Sequence, residues 1–354
     1  MAINIWIFCL ERLDQRYTEQ WFHNIPELLK QAIKTKNLEY DVHNVEGVQQ
    51  ATATTSGAFL NFTDTNFYKS SQLCNFVNLF NEGKVGKFDK ILFTDFWNPC
   101  ITQIAYMRDL MDQNWELHSI AHAGAYDPSD ILGMKMSKPW PSEAERSWFY
   151  ACDYTYFGTN FHKDMFLKNL EIPSNYHDKA VRSGQPHEYI VGDLESRKQA
   201  DKVAQVIWPH RYNADKQPEI ALDVSNTFPT IITQKLNLKK DEYYKEMSKC
   251  QVIFSCSLHE NLGISIMEAT LMGVIPVLPN RCSYTEMYEP EFLYPTDWTA
   301  SHESYLKHQN ELHAFIRHRL EHPELYQDAL ARQQQRLKND YLNSSVMIDY
   351  IIAK

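Results

Sequence analysis

The sequence contains little of what marks a secreted, membrane-spanning or zinc-binding protein. Its seven cysteines are an odd number and form no Cys-x-x-Cys pair, which argues against a disulfide framework or a zinc site and favours a reducing compartment. No apolar run reaches the roughly 18 residues that a membrane-spanning helix needs. The opening segment Met-Ala-Ile-Asn-Ile-Trp-Ile has no basic leader. We therefore expect no signal peptide and a cytoplasmic location, in the host cytoplasm if a phage encodes the protein.

Basic charge and glycine are also scarce. The net charge of −10 argues against a surface coated with cations for nucleic acid, although a local basic groove is compatible with it. Glycine accounts for only 11 of 354 residues, whereas aromatic residues make up 13%. Aromatic side chains at this level either fill cores or line sites that stack on rings, and composition alone does not separate the two.

The length and the apolar pattern predict two α/β domains. A chain of 354 residues is too long for one ordinary core. Short apolar runs alternate with amphipathic segments, which predicts mainly parallel sheets with crossover helices. The predicted strands are residues 3–9, 90–95, 117–121 and 155–158, followed by 205–208, 230–233, 252–256 and 274–278. The predicted helices include residues 19–35, 243–249, 265–272 and 305–320.

Residues 173–186 contain Pro, Ser, Asn, Gly and Gln and are predicted to form the linker. We expect a doubly wound N-terminal domain over residues 1–180 and a second doubly wound domain over residues 187–322. The C-terminal helical segment 324–354 could pack back on the first domain. Because ligands bind beyond the carboxyl ends of the strands in such sheets, the expected site is a cleft between two facing domains.

The most informative segment is Ser257-Leu-His-Glu-Asn-Leu-Gly-Ile-Ser-Ile-Met-Glu-Ala, between a predicted strand and a predicted helix. Glu260 and Glu268 lie eight positions apart, so both can face the same site. At the helix N-terminus, unpaired N–H groups and the helix dipole favour an anion such as a diphosphate. The alternative is a helix cap with a surface glutamate. The amides expected at this anion site are those of Asn261, Leu262, Gly263 and Ile264.

A second segment carries two cations after a strand. It reads Trp208-Pro-His-Arg-Tyr-Asn-Ala-Asp-Lys, and Arg211 and Lys216 could together neutralise a leaving diphosphate. The alternative for these two side chains is a solvated loop.

Two further candidates follow strands of the first domain. His122 comes directly after the strand at 117–121, and Asp95 ends the strand at 90–95. Parallel strands place such residues at the carboxyl edge of the sheet. His122 could serve catalysis or be a satisfied structural histidine, and Asp95 could be an acceptor-side base or a capping residue.

The segment around Glu260 and Glu268 resembles the Glu-x7-Glu motif of retaining GT-B glycosyltransferases. The sequences around Arg211 and Lys216 and over residues 279–294 are similar to those of the tRNA-queuosine mannosyltransferase-like branch. The compact size also resembles phage enzymes that glycosylate DNA. The resemblance implies an α/β fold of GT-B type, in which two doubly wound Rossmann-like domains face each other across a cleft.

The resemblance also implies roles for the candidate residues. Glu260 would contact the hydroxyls of the donor sugar, and Glu268 would bind the ribose of the nucleotide. Arg211 and Lys216 would hold the diphosphate, and His122 would lie near the donor sugar. The implied co-substrate is a nucleotide sugar, with a UDP-sugar favoured over a GDP-sugar, and no further cofactor is expected.

Two features depart from the family. Many members carry a glycine pair after the first strand, whereas this chain offers Arg12, Arg16 and Tyr17, which could hold a phosphate of donor or acceptor or form a charged turn. The segment 217–242 looks short for a full strand–helix–strand unit, so no base-reading residue is assigned.

The chain has no Asp-x-Asp motif, which holds a metal–diphosphate in the other large glycosyltransferase class. The resemblance therefore implies a metal-independent hexosyl- or pentosyltransferase that retains configuration. In such enzymes the leaving phosphate can accept the proton of the acceptor hydroxyl, so no covalent residue is assigned.

The acceptor remains open in the sequence. A hydroxymethylated pyrimidine in DNA is favoured over a modified tRNA nucleoside such as queuosine, and either would use basic residues such as Arg12, Arg16, Arg317 and Arg319 on phosphates. The acidic net charge fits a polysaccharide or small-molecule acceptor better. Outside transfer chemistry, a sugar-nucleotide epimerase or a non-catalytic nucleotide-binding module could share this architecture.

Overall fold

The computed structural model describes residues 3–13, 17–50, 61–136 and 138–353. The chain divides into two compact units, one formed by Met1–Pro186 with Ser344–Lys354 and the other by His187–Asn343. We call them unit 1 and unit 2.

Unit 1 contains a six-stranded parallel sheet in the order β2-β1-β3-β4-β5-β6. Phe8, Phe93 and Ser119 align across three neighbouring strands. Central strands are buried on both faces, as is usual where helices cover a parallel sheet. The strands are β1 (Ile3–Phe8), β2 (Tyr40–Val45), β3 (Lys90–Phe93), β4 (Glu116–Ile120), β5 (Tyr154–Phe157) and β6 (Ala180–Arg182).

The helices of unit 1 bury apolar stripes against this sheet. In the first helix, Trp21, Ile25, Leu29 and Ile33 recur every four residues and are all buried, which is the spacing of one helix face. The second helix is capped by Asn61, whose side chain accepts a hydrogen bond from the Thr63 amide. The helices up to residue 169 are α1 (Tyr17–Thr35), α2 (Phe62–Asn81), α3 (Cys100–Leu110), α4 (Ile131–Lys135), α5 (Trp140–Ala151) and α6 (Asn160–Asn169).

Unit 2 contains a five-stranded parallel sheet in the order β11-β10-β9-β7-β8. One apolar cluster covers each face of the sheet. The strands are β7 (Val203–Trp208), β8 (Thr230–Ile232), β9 (Cys250–Phe254), β10 (Ile275–Pro279) and β11 (Leu293–Tyr294). The helices are α7 (Glu188–Ser196), α8 (Pro218–Thr227), α9 (Lys240–Lys249), α10 (Ile264–Leu271), α11 (Tyr284–Met287), α12 (His302–Glu321) and α13 (Gln327–Arg336).

The segment that looked too short in the sequence contains one helix and one strand. Helix α8 follows Lys216 almost at once, and β8 begins three residues after the helix ends. Only together with β7, which precedes the segment and pairs with β8, do these elements form a strand–helix–strand unit.

The boundaries of the units differ from the predicted ones. The predicted linker contains β6, which pairs with β5 through Thr155 and Ala180, so unit 1 continues to Pro186. Helix α13 stays with unit 2, because the buried Gln333 side chain bonds the Met287 carbonyl and Leu330 lies in the unit 2 core. A last helix, α14 (Ser345–Ile352), belongs to unit 1.

Candidate functional site

The first group of candidate residues lies where the strand order of unit 2 reverses. Strand β7 is flanked by β8 on one side and β9 on the other, so chain progression changes direction between β7 and β9. In open α/β sheets, ligands bind beyond the carboxyl ends of the strands at such a point. The loop after β7 carries Arg211 and Lys216, and the loop after β9 carries Glu260. The structure thus brings residues from both predicted segments together.

Lys216 is buried among oxygen atoms. Its Nζ donates to the carbonyl of His259, and lies 3.3 Å from Glu260 Oε2 and 3.3 Å from Asp215 Oδ2. Burial alone would lower the pKa of Lys216, but the charges of Glu260 and Asp215 outweigh it and raise the pKa. Lys216 is therefore a fixed cation. Asp215, its second carboxylate partner, was not among the predicted residues.

Glu260 is held on both of its oxygens. Oε2 faces Lys216, and Oε1 accepts a hydrogen bond of 2.9 Å from the Gly263 amide. Burial would raise the pKa of Glu260, but the Lys216 charge outweighs it and the pKa is lowered. The side chain is thus a carboxylate, which can accept hydrogen bonds from hydroxyl groups. The Gly263 amide, predicted to face an anion, donates to this carboxylate instead.

A neutral histidine lies behind this ion pair. His210 Nε2 is 2.9 Å from Ser255 Oγ, which is also 3.0 Å from Ser257 Oγ and 3.2 Å from the Tyr284 hydroxyl. Burial and the nearby Lys216 charge lower the pKa of His210 to about 3. The imidazole is uncharged at neutral pH, and it joins the loops after β7 and β9 without adding charge.

Glu268 lies in the second turn of α10 and is only 8% exposed. The Tyr244 hydroxyl, from α9, donates to Glu268 Oε1 at 2.5 Å. Burial raises the pKa of Glu268, although the bond from Tyr244 and the charge of Lys240 act in the opposite direction. Tyr244 and Lys240 come from a separate helix, α9, so the spacing of Glu260 and Glu268 does not indicate these two partners.

Arg211 is partly buried. Its Nε lies 3.1 Å from the Asn213 side-chain oxygen, in the amide orientation that satisfies both polar atoms of Asn213. A guanidinium with several donors and partial exposure can still reach an anionic ligand.

The second group lies in unit 1, where the order of strands reverses between β1 and β3. Asp95, after β3, accepts a hydrogen bond of 2.7 Å from Lys69 Nζ and one of 3.1 Å from the Trp97 amide. Burial would raise the pKa of Asp95, but the Lys69 charge outweighs it and the pKa is lowered. Asp95 is therefore ionised, and it is paired with a buried lysine that the sequence analysis did not select.

His122, after β4, lies close to Asp95. Its Nε2 is 2.7 Å from the Thr94 carbonyl, and since a carbonyl only accepts, Nε2 carries the proton. The ring packs against both Tyr17 and Trp21, with centroid distances of 5.6 and 4.9 Å. Burial lowers the pKa of His122, and the charge of Asp95 only partly offsets this. Neutral His122 can use Nδ1 as an acceptor.

The arginines that were predicted to bind phosphate lie in different surroundings. Arg12 pairs with Glu46 at 2.9 Å and its guanidinium lies 4.5 Å from the Phe22 ring centre. Arg16 lies outside the described residues. Arg319 is buried, with its guanidinium 3.2 Å from the Phe315 ring centre and bonded to the Glu291 carbonyl. Because it is enclosed in the protein, Arg319 is not a phosphate contact, and that expectation is wrong.

A buried acid in unit 1 was missed entirely. Glu145 Oε1 accepts hydrogen bonds from the Trp97 indole at 2.6 Å and from the Ala125 amide at 2.5 Å. Burial raises its pKa to about 7. Glu145 thus joins the loop that carries Asp95 to the loop that carries His122. In the sequence it stands among charged residues of a helix and looks like part of a solvated face.

Within the described part of the chain, no three His, Cys, Asp or Glu side chains are grouped as a metal site would require. The same residues include no helix with the length and hydropathy needed to cross a membrane.

The comparisons with known proteins agree on the fold. No protein-family model matches the sequence. The tRNA-queuosine alpha-mannosyltransferase of Drosophila melanogaster is 27% identical over 157 residues, covering 36% of this chain and 40% of that protein. The match therefore spans well under half the length of the curated relative.

Two solved structures match almost the whole chain. The α,α-trehalose 6-phosphate synthase of Burkholderia multivorans has a TM-score of 0.60 and 12% identity, over 100% of this chain and 98% of the other. The starch synthase IV catalytic domain of Arabidopsis thaliana, bound to ADP and acarbose, has a TM-score of 0.55 and 10% identity, over 99% and 97%. These likenesses establish the α/β fold of GT-B glycosyltransferases. The predicted α/β fold of GT-B type is thereby confirmed.

Proposed function

We propose that the protein is a glycosyltransferase that moves a sugar from a nucleotide-sugar donor to a hydroxyl acceptor with retention of configuration. The observation that carries the proposal is the buried Lys216–Glu260 pair beside the N-terminus of α10, at the point where the strand order of unit 2 reverses. A fixed cation and a carboxylate acceptor in one place suit a ligand that joins a diphosphate to a polyol.

Each donor residue has a role that follows from its chemistry. Lys216 and Arg211 face the negative charge of the diphosphate, and Glu260 accepts hydrogen bonds from sugar hydroxyls. Glu268 accepts those of the ribose. As the bond from the anomeric carbon to the diphosphate breaks, charge grows on the leaving phosphate, and preorganised donors there stabilise the transition state. The acceptor oxygen bonds to the anomeric carbon, and its proton passes to the leaving phosphate.

The test of this reaction is incubation of the protein with UDP-, GDP- and ADP-sugars and candidate acceptors. We expect a glycosylated acceptor and an equal amount of nucleoside diphosphate, with the donor's anomeric configuration kept in the product by NMR. Lys216→Met should abolish transfer. Lys202→Met is the matched control, since Lys202 is a partly buried lysine of unit 2 bonded to the Ser248 and Met272 carbonyls.

The same experiment separates the rival activities. A new sugar nucleotide without any acceptor product would identify an epimerase, and binding without turnover would identify a binding module. The proposed reaction uses no metal, so transfer should persist in EDTA. Loss of activity in EDTA and its recovery with a divalent cation would overturn that part of the proposal.

For the acceptor we propose a modified nucleoside in a nucleic acid. The name of the Drosophila relative supports a tRNA nucleoside. A hydroxymethylated pyrimidine in DNA is the candidate favoured by the sequence. It rests on Arg12 and Arg16, which stand near the aromatic Tyr17 and Trp21 in the sequence, a mixture suited to phosphate contact and base stacking. The ion pair of Arg12 with Glu46 and the enclosure of Arg319 weaken the case for DNA.

Mass spectrometry of digested nucleic acids distinguishes these acceptors. A sugar adduct on queuosine-containing tRNA, with none on a hydroxymethylcytosine duplex, would establish the tRNA acceptor and exclude DNA. The reverse result would establish DNA. Adducts on glycans alone would reject both while leaving the transfer reaction standing.

A further inference from the structure

The pairing of Tyr244 with Glu268 bears on how the nucleotide is recognised. The Tyr244 hydroxyl reaches across from α9 and donates to Glu268 Oε1 at 2.5 Å. Both side chains are buried. A carboxylate has about four lone-pair positions, so this bond occupies one of them and leaves Oε2 and the second position of Oε1 for a ligand.

Tyr244 is itself firmly held. The Arg197 guanidinium lies 5.3 Å from the centre of its ring, and Lys240 Nζ lies 5.5 Å from it. Arg197 is in turn fixed by both carboxylate oxygens of Asp193, each at 3.0 Å, and by Asp241 at 2.9 Å. These contacts join the end of α7 to the start of α9, so the tyrosine ring has little freedom to turn.

The Tyr244 hydroxyl, held rigidly against Glu268 Oε1, fixes the plane of the carboxylate and with it the directions of the remaining lone pairs. Two neighbouring hydroxyls of a ribose can bond a carboxylate together only if that plane matches theirs. Without the tyrosine hydroxyl, Glu268 could rotate, and burial, which raises its pKa, would favour the protonated form that accepts less well.

We propose that Tyr244 is a positioning residue, whose hydroxyl orients the Glu268 carboxylate so that the protein binds ribonucleotides in preference to deoxyribonucleotides. The inference rests on the proposed function for the assignment of Glu268 to the ribose. It adds a residue from another helix, and a selectivity that the two glutamates alone do not specify.

Calorimetry with matched nucleotide pairs tests this role. The probes are UDP, GDP and ADP, each beside its 2′-deoxy form, measured on the full chain. For whichever base binds, we expect the wild-type protein to bind the deoxy form about tenfold more weakly, the size of a lost hydrogen bond to a charged group. In Tyr244→Phe this ratio should fall to about twofold, chiefly because the ribonucleotide binds less well.

Tyr305→Phe is the matched control. Its hydroxyl donates to Asp223 at 2.6 Å elsewhere in unit 2, so the variant loses the same kind of bond and should keep the wild-type ratio. If Tyr244→Phe does not fold, Arg197→Gln loosens the ring from outside and should lower the ratio in part.

The outcomes are separable. An unchanged ratio in a folded Tyr244→Phe variant would overturn the positioning role while leaving donor binding intact. Failure of the wild-type protein to bind any nucleoside diphosphate would overturn the proposed function, and the inference with it. A lowered ratio in Tyr305→Phe as well would show a general structural effect and would also overturn the positioning role.

Discussion

Glu145 shows how one buried carboxyl can make stability depend on pH. Its pKa is raised from 4.5 to about 7 in the folded protein, so the folded state holds the proton more tightly than the unfolded chain. Stability is therefore unaffected by this group below about pH 4.5 and falls as pH rises to about 7, by up to about 3 kcal/mol. The loss comes from leaving a charge among buried groups, with Asp130 adding repulsion.

We expect Glu145→Gln to remove this fall. Urea unfolding at pH 5 and pH 7.5 gives the free energies of unfolding of the wild type and the variant. The change in their difference between the two pH values measures the effect of Glu145. Glu143→Gln on the same helix is the control, because the Glu143 side chain is exposed. The same pH slope in wild type and Glu145→Gln would show that Glu145 is not the group responsible.

A substitution at Arg211 tests whether this side chain stabilises the charge that develops on the leaving diphosphate. We expect Arg211→Ala to lower turnover about 100-fold or more, because donors to a developing charge act more strongly in the transition state than in the bound donor. Thermal unfolding should shift little, since the side chain is only partly buried. Arg332→Ala, an exposed arginine paired with Glu291, should leave turnover unchanged. Equal rates in both variants would place Arg211 outside the reaction.

At the scale of elements, the turn that opens α10 depends on a glycine. Gly263 has φ of +75°, and a Cβ there would lie 3.2 Å from the Tyr284 ring and 3.3 Å from Glu260 Cγ. Gly263→Ala should destabilise unit 2 by about 1–2 kcal/mol and weaken donor binding, because Glu260 must move. Gly192→Ala is the opposite case, since nothing lies within 4 Å of its Cβ position in α7.

Differential scanning calorimetry with nucleotide titration follows both glycine variants. Gly192→Ala should be neutral or more stable by up to about 1 kcal/mol, with unchanged binding. If Gly263→Ala behaves in the same way, the left-handed turn is not what positions Glu260.

Four of the strands that the sequence predicted share one property. Strands β1, β3, β9 and β10 are almost wholly buried, so their residues form continuous apolar runs. The missed strands lack such runs. Strand β2 reads Tyr-Asp-Val-His-Asn-Val at the sheet edge, β6 has three residues and β11 has two. Helix α8 was missed although proline at its first position favours a helix start, and its N-cap, Gln217, makes no side-chain capping bond.

The candidate site was predictable where the residues share a local motif. Glu260, Gly263 and Glu268 lie within one strand–turn–helix segment, so their spacing alone indicates a common role. Their partners are not local: Tyr244 is 24 positions from Glu268, and Lys69 is 26 from Asp95. Such pairs depend on how helices pack on the sheet, which periodicity does not specify.

At the scale of the whole molecule, unit 1 depends on α14. Ile351 and Ile352 are buried there, Asp349 pairs with Lys36 at 2.7 Å, and the buried Lys90 donates to the Ala353 carbonyl at 2.6 Å. We expect Ile351→Ala to destabilise unit 1 by about 2–5 kcal/mol. Val346→Ala, an exposed site on the same helix, should cost less than about 0.5 kcal/mol.

Hydrogen exchange read out by mass spectrometry locates the effect. Faster exchange in β1 and α1 of Ile351→Ala, with unchanged exchange in β7 and β9, is the expected pattern. Equal acceleration in both units would mean that α14 does not belong to unit 1 alone.

This arrangement has a consequence for synthesis on the ribosome. The segment that completes unit 1 is translated only after every residue of unit 2, at about 5–20 residues per second. Unit 2, whose residues are continuous in sequence, does not need α14 to complete its core. The core of unit 1 stays incomplete until α14 is made, because the apolar face of α1 and the buried ammonium of Lys90 lack their final partners. The half of the protein that is made first thus depends, for its complete core, on the helix that is made last.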